Sequence, residues 1–272
     1  MLSSAKILAV AKYMEEINPI FLTTTIINRL RGETALGTAT GFFYLKEKKV
    51  YLITNKHVLY GENFASKDAS TKVDRLGVVL HTNRKDLRTN EEVVIDLFAD
   101  GEKLWLEHSQ IDTDVVCIPV EIDRDKYALV TDDDGIVDVG KIQVFFEQIF
   151  VMGYPFGWYD DKFNLPITRI GYLSSPYKVP FKGKPFLLGD VETHKGMSGS
   201  PVFMYLKDYI TKEEDGKSTM NLGQIKLILL GVYSGQPIWR VKDKTTQEEK
   251  DIPHSLCAVW FSSLIREIIE GK

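Results

Sequence analysis

Three residues with chemical potential stand where apolar strand patterns break: a serine, a histidine and an aspartate. Ser198 lies in Gly196-Met197-Ser198-Gly199-Ser200-Pro201, just ahead of the strand-like run VFMYL. Glycines in a tight turn leave a serine hydroxyl clear of neighbouring side chains and let nearby N–H groups converge on one point. Alone, the string also reads as an ordinary β-turn, so its meaning depends on partners. His57 is the partner favoured by pattern. In VYLITNKHVLY an apolar strand runs into a polar turn, and His57 opens a possible helical turn behind the strand GTATGFFY. His194, four residues before Ser198, is an alternative that requires the two side chains to meet across a single turn. His81, His108 and His254 read as surface or satisfied core histidines. A carboxylate entering a buried strand completes the set. Asp114 in IDTDVVCIPV fits, with Asp112 on the same face as the alternative, and each also reads as a solvated strand-end aspartate.

Composition narrows the classes. The chain has 272 residues, with 34 Lys+Arg against 38 Asp+Glu for a net charge of −4, 44% hydrophobic and 26% charged. Those values belong to a globular protein and exclude disorder and fibres. Slight acidity without a basic block argues against nucleic acid as a partner. No uncharged stretch reaches the roughly 18 apolar residues of a membrane helix, and no secretory signal precedes the first strand, so a cytoplasmic location and no membrane contact are expected. Cys117 and Cys257, the only cysteines, each lie in an apolar segment and read as reduced core thiols rather than a pair. No H-E-x-x-H or C-x-x-C spacing is present, so neither a metal nor a cofactor is expected. Asp132, Asp133 and Asp134 sit consecutively in an acidic stretch and would converge poorly on one ion.

The elements that must position these residues are mostly strands. Residues 3–17 show helical spacing and end before Pro19. From Ile20 onward, short β-branched and aromatic runs (FLTTTII, TATGFFYL, KVYLIT, LGVVLHT, EVVIDLF, DVVCIPV, QIFVMGY, ITRIGYLS, KPFLLGDV, SPVFMYL, IKLILLGVYS) alternate with Gly, Pro, Asn and Asp clusters. Residues 262–270 return to helical spacing. The expected fold class is all-β with a helix at each end. Polar segments 61–75, 208–223 and 240–251 read as surface insertions, and 131–138 as a linker between halves.

Read together, T-A-T-G-F, I-T-N-x-H-V, D-V-V-C-I, M-G-Y-P-x-G, I-T-R-I-G-Y-L, G-M-S-G-S-P-V and L-L-G-V-Y-S-G resemble a trypsin-like serine peptidase of the chymotrypsin fold. The order His57, Asp114, Ser198 is the order of that family. The likeness is greatest to bacterial members, the high-temperature-requirement proteases and the staphylococcal glutamyl endopeptidases. It implies two packed β-barrels: a helical segment over 1–19, a first barrel over 20–135 with His57 and Asp114, and a second over 136–272 with Ser198 and the C-terminal helix. It further implies Ser198 as nucleophile, His57 as base and Asp114 as the group that orients it. The N–H groups of Gly196 and Ser198 would form the oxyanion hole, and Tyr233-Ser234-Gly235 would pair with a protein or peptide substrate as an added strand.

Two features depart from the digestive members. Met197 stands where they carry an aspartate that pairs with a newly cut N-terminus, so activation without N-terminal cleavage is expected. Glu192, six residues before Ser198, falls where relatives place the floor of the specificity pocket, with Thr193 beside it. An acidic floor there would select Lys or Arg, whereas His194 and Lys195 would favour an acidic side chain. The contrasting reading of the whole chain is a catalytically silent scaffold that binds peptides by strand addition.

Overall fold

A computed structural model describes residues 20–46, 48–66, 70–83, 86–123, 147–160, 162–212, 218–237, 240–242, 249–251 and 255–271. The expected helix over 3–17, the expected linker over 131–138, the three consecutive aspartates within it and His254 lie outside them. A single helical turn, Ile20–Thr23, takes up the start of the FLTTTII run. The first half then follows as β1 (Thr24–Arg31), β2 (Thr34–Lys46), β3 (Lys49–Thr54), a helical turn (Lys56–Tyr60), β4 (Arg75–His81), β5 (Asn90–Asp96), β6 (Phe98–Ala99), β7 (Glu102–Lys103), β8 (Leu106–Glu107) and β9 (Val116–Val120). The second half contains β10 (Gln148–Gly153), β11 (Ile167–Leu173), β12 (Phe186–Asp190), β13 (Pro201–Lys212), β14 (Ser218–Gly235), β15 (Arg240–Lys242), β16 (Glu249–Asp251), β17 (Leu256–Phe261) and a terminal helix, Ser263–Ile269.

The all-β class is as expected, and the two halves close differently. Six strands of the second half form a closed barrel in the order β10-β11-β12-β17-β14-β13. Seven strands of the first half form an open antiparallel sheet, β5-β4-β1-β2-β3-β9-β8. Its inner face still gathers one core, including Ile27, Phe43, Leu52, Leu76, Val116 and Ile118.

Strand periodicity explains how the halves are joined. Successive side chains of a strand point to opposite faces, so a run apolar on both faces feeds two cores. In β9, Val116 and Ile118 enter the first core while Cys117 turns the other way. In β3, Leu52 faces the first core and Ile53 the other side. In β17, Val259 faces the barrel interior and Trp260 leaves it. The outward set, with Phe42, Met152, Phe186, Phe203 and Leu229, forms a third core between the halves, to which the terminal helix adds Leu264, Ile265 and Ile268. At about 1.5–3 kcal/mol per fully buried large apolar side chain, separating the halves would be costly. Residues contributed from opposite halves are therefore held in one frame.

Both cysteines are buried and free, and burial pushes the Cys257 thiol up to about 12. His81 is a satisfied core histidine. Its Nε2–H donates to Phe163 O at 2.7 Å, and burial lowers its pKa. Two of the expected surface insertions contain paired backbone. β13 and β14 continue as a hairpin through Tyr209↔Asn221 to Lys212↔Ser218, beyond a register shift at Lys207/Tyr209. β15 and β16 pair Arg240 with Asp251. Polar side chains conceal such extensions, because the pairing is carried by the backbone.

Candidate active site

The site lies where the two halves meet. β3 ends at Thr54, and Asn55, in extended conformation at φ −84° and ψ 150°, turns the chain into the short helix that carries His57. Asn55 Nδ2–H donates to the carbonyl of Asp114 at 2.7 Å, tying that turn to the start of β9. Asp114 is 2% exposed. Its Oδ1 accepts the backbone N–H of His57 at 2.8 Å, and its Oδ2 lies 2.7 Å from His57 Nδ1. Ser234 Oγ–H also donates to Oδ2, at 2.5 Å. An ionised carboxylate only accepts, so Nδ1 carries the hydrogen and the neutral ring keeps Nε2 as an acceptor. Burial disfavours the charged imidazole, yet Asp114, through charge and hydrogen bond, and Glu62 outweigh it, so the His57 pKa stands above its usual 6.5.

Asp112, the alternative acid, is elsewhere. Its Oδ2 pairs with Lys184 Nζ at 2.9 Å on the surface.

The Ser198 turn is built by close approach. Gly199 adopts φ +87°, and a Cβ there would lie 2.1 Å from Thr40 O and 2.3 Å from Thr54 Oγ1. Gly196 adopts φ +94°, and its Cβ would lie 2.4 Å from Tyr154 O. Only glycine fits either place. Thr40 of β2 fastens the turn to the first half: its N–H donates to Ser198 O at 2.9 Å and its hydroxyl to Gly196 O at 2.8 Å. Phe156, at φ 56° in the turn Pro155–Gly157, donates its N–H to Lys195 O at 2.6 Å. Among the described residues no acceptor takes the N–H of Gly196 or of Ser198.

His57, Asp114 and Ser198 line one cleft, together with Glu62, Phe64, Phe156, Thr193, His194, Lys195, Tyr233, Ser234, Gly235, Gln236 and Trp260. No hydrogen bond within 3.5 Å joins Ser198 Oγ to His57, and such contacts commonly tighten only with substrate in place. His194 stacks on Phe156, with ring centroids 4.8 Å apart. Tyr233 O–H donates to Thr193 Oγ1 at 2.7 Å, and burial pushes the Tyr233 hydroxyl up to about 12. On the β13 side of β14, Tyr233 is still held by backbone bonds, its N–H to Ser200 O at 2.9 Å and its carbonyl from Gly199 N–H at 3.0 Å. The edge opens from Ser234 onward, while the other side stays paired with β17 to Gly235↔Ala258.

Glu192, expected at the pocket floor, is not among the cleft residues. Its side chain is 74% exposed, its Oε2 pairs with Arg169 Nη2 at 2.5 Å, and its carbonyl accepts Arg169 Nε–H at 3.0 Å. Arg169 of β11 draws it outward. The charged side chains on the cleft wall are instead Lys195 and Glu62, besides Asp114. Thr40, Glu62, Phe64 and Phe156 escaped the residue-level reading. Thr40 lies inside the T-A-T-G-F string, but nothing local marks its hydroxyl as a clamp on a turn 156 residues away. Among the described residues, no group of three His, Cys, Asp or Glu is placed to hold a metal ion, and no helix is long and apolar enough to cross a membrane.

An antiparallel sheet whose half supplies His57 and Asp114 and a closed barrel whose half supplies Ser198, facing a shared cleft, make up the architecture of a trypsin-like peptidase. The model of the trypsin-like peptidase domain matches residues 39–207, and the chain belongs to that family. Among solved structures it is similar to the serine endoprotease from Yersinia pestis, at 14% identity and a TM-score of 0.49 over 93% of this chain. The chain spans 63% of the length of that structure. No curated protein matches it.

Proposed function

We propose that the protein is a serine endopeptidase that cleaves protein or peptide substrates through an acyl-enzyme on Ser198. The observation that carries this reading is the Asp114 carboxylate 2.7 Å from His57 Nδ1, with Nε2 left for the cleft shared with Ser198. A substrate strand adds along Tyr233-Ser234-Gly235 on the edge that opens at Ser234, the Tyr233 backbone being already paired with Ser200 and Gly199. That pairing sets the substrate carbonyl over Ser198. Ser198 Oγ attacks the carbonyl carbon as its proton passes to His57 Nε2, and Asp114 stabilises the imidazolium. Charge develops on the carbonyl oxygen, and the free N–H groups of Gly196 and Ser198 receive it, at about 3 kcal/mol per donor in the transition state. The C–N bond breaks as Nε2–H protonates the leaving amine. Water, deprotonated by His57, then releases the acid product and restores Ser198.

The base must be neutral to act, and its pKa is raised. Activity is therefore expected to rise with pH through a midpoint above 6.5, not at it, and to be lost below that midpoint. The measurement is kcat/KM on a peptide library substrate between mildly acidic and mildly alkaline pH. A profile flat across that range would overturn His57 as base.

A further inference from the structure

Asp114 and Lys56 are buried charged side chains, and Lys56 immediately precedes His57. Burying a lone ammonium costs several kcal/mol, and a well-packed apolar residue usually serves stability as well as a buried ion pair does. The position of Lys56 is therefore informative. Its Nζ lies 2.7 Å from Glu107 Oε2 and donates to Ile111 O at 3.3 Å. Glu107 belongs to β8, where it pairs with Val116 at the start of β9, and Ile111 lies three residues before Asp114. One side chain thus ties the turn that carries His57 to both segments that deliver Asp114.

Glu107 is itself held firmly. Its Oε1 accepts Tyr60 O–H at 2.5 Å and Trp105 Nε1–H at 2.7 Å. Burial opposes its charge, yet the hydrogen bonds from Lys56, Tyr60 and Trp105 hold its carboxyl below the usual range. Tyr60 closes the far end of the same helical turn, and on the other side Arg29 Nε–H donates to Val58 O at 2.8 Å. The turn is clamped along its length, with Lys56 holding its start.

We propose that Lys56 is a positioning residue that, with Glu107, holds the His57 imidazole in register with the Asp114 carboxylate. This rests on the serine-peptidase reading of the site. The charged groups around the imidazole are Asp114, Glu62 and Arg29, with Lys195 and His194 along the same cleft. Lys56→Met keeps the aliphatic stem and leaves Glu107 two donors. It is expected to lower kcat by about 10²-fold, the scale of an ångström of misplacement, with KM little changed. Lys56→Arg should recover part of that loss.

Titration of the His57 ring by NMR distinguishes the causes, because it requires no catalysis. A loosened contact with Asp114 shifts the midpoint down toward 6.5, whereas merely deleting a nearby positive charge shifts it up. The double variant Lys56→Met/Glu107→Gln removes both charges, keeps an oxygen acceptor for Tyr60 O–H and Trp105 Nε1–H, and covers the case in which the single variant does not fold. It should show the same downward shift. A His57 midpoint that stays or rises in the folded variants overturns the proposal. If the midpoint falls while the wild type cleaves no peptide, the positioning role stands and the peptidase reading fails.

Discussion

Ser198→Ala is expected to reduce peptide hydrolysis by about 10⁶-fold, the loss seen when a serine peptidase is deprived of its nucleophile. The change removes one oxygen at the centre of the cleft and nothing that the fold uses. Among the described residues Ser198 Oγ has no hydrogen-bond partner, while the turn is fastened through backbone: Thr40 N–H to Ser198 O at 2.9 Å and Gly199 N–H to Tyr233 O at 3.0 Å. Stability should therefore change by no more than about 0.5 kcal/mol. Substrate should still bind, because the Ser234–Gly235 edge and the backbone N–H groups at positions 196 and 198 remain. Turnover measured beside a thermal melt checks both halves of the expectation. A folded variant retaining more than a small fraction of activity would remove Ser198 from the chemistry.

Asp114→Asn should cost about 10⁴-fold, on the scale of the same substitution in the family template. Asp114 accepts three donors, the His57 backbone N–H, His57 Nδ1–H and Ser234 Oγ–H. An amide offers one acceptor oxygen where the carboxylate offers two. An NH₂ directed at His57 would stabilise the tautomer with hydrogen on Nε2, which cannot take the Ser198 proton. Asp112→Asn provides the control. Its carboxylate is half-exposed and paired with Lys184, a contact of little energetic consequence, so activity should remain within about twofold. Parallel kcat values for the two variants decide between the carboxylates. Equal losses, or the larger loss at Asp112, would contradict the assignment.

The parts of the site legible in sequence are those dictated by local chemistry. A serine flanked by glycines implies a tight turn, and Gly196 and Gly199 occupy positions where any Cβ would collide with backbone. Asp114 was legible because the apolar run after it has to be a buried strand. Direction was not legible. Glu192 has the chain position of a pocket floor, but its side chain follows Arg169, which approaches from β11 and becomes a neighbour only through the pairing of β11 with β12. Nothing local in the sequence joins Lys56 to Glu107, 51 residues on, and strand pairing alone sets them 2.7 Å apart, with Trp105 and Tyr60 donating to the same carboxylate. The open edge of the first sheet was hidden for a similar reason. Apolar alternation marks β1 to β5 and β9 alike, but closure depends on whether the backbones of β5 and β8 meet, and they do not.

The most direct test of the central claim is covalent. The protein is incubated with a fluorophosphonate probe above the His57 midpoint, and the adduct is located by peptide mass spectrometry. The account predicts a single adduct, on Ser198 Oγ, that is absent from the His57→Ala variant and fades as pH falls through that midpoint. Folded protein that carries no adduct on Ser198 under these conditions would contradict it, and would leave a trypsin-like scaffold that binds peptides along Tyr233–Gly235 without cutting them.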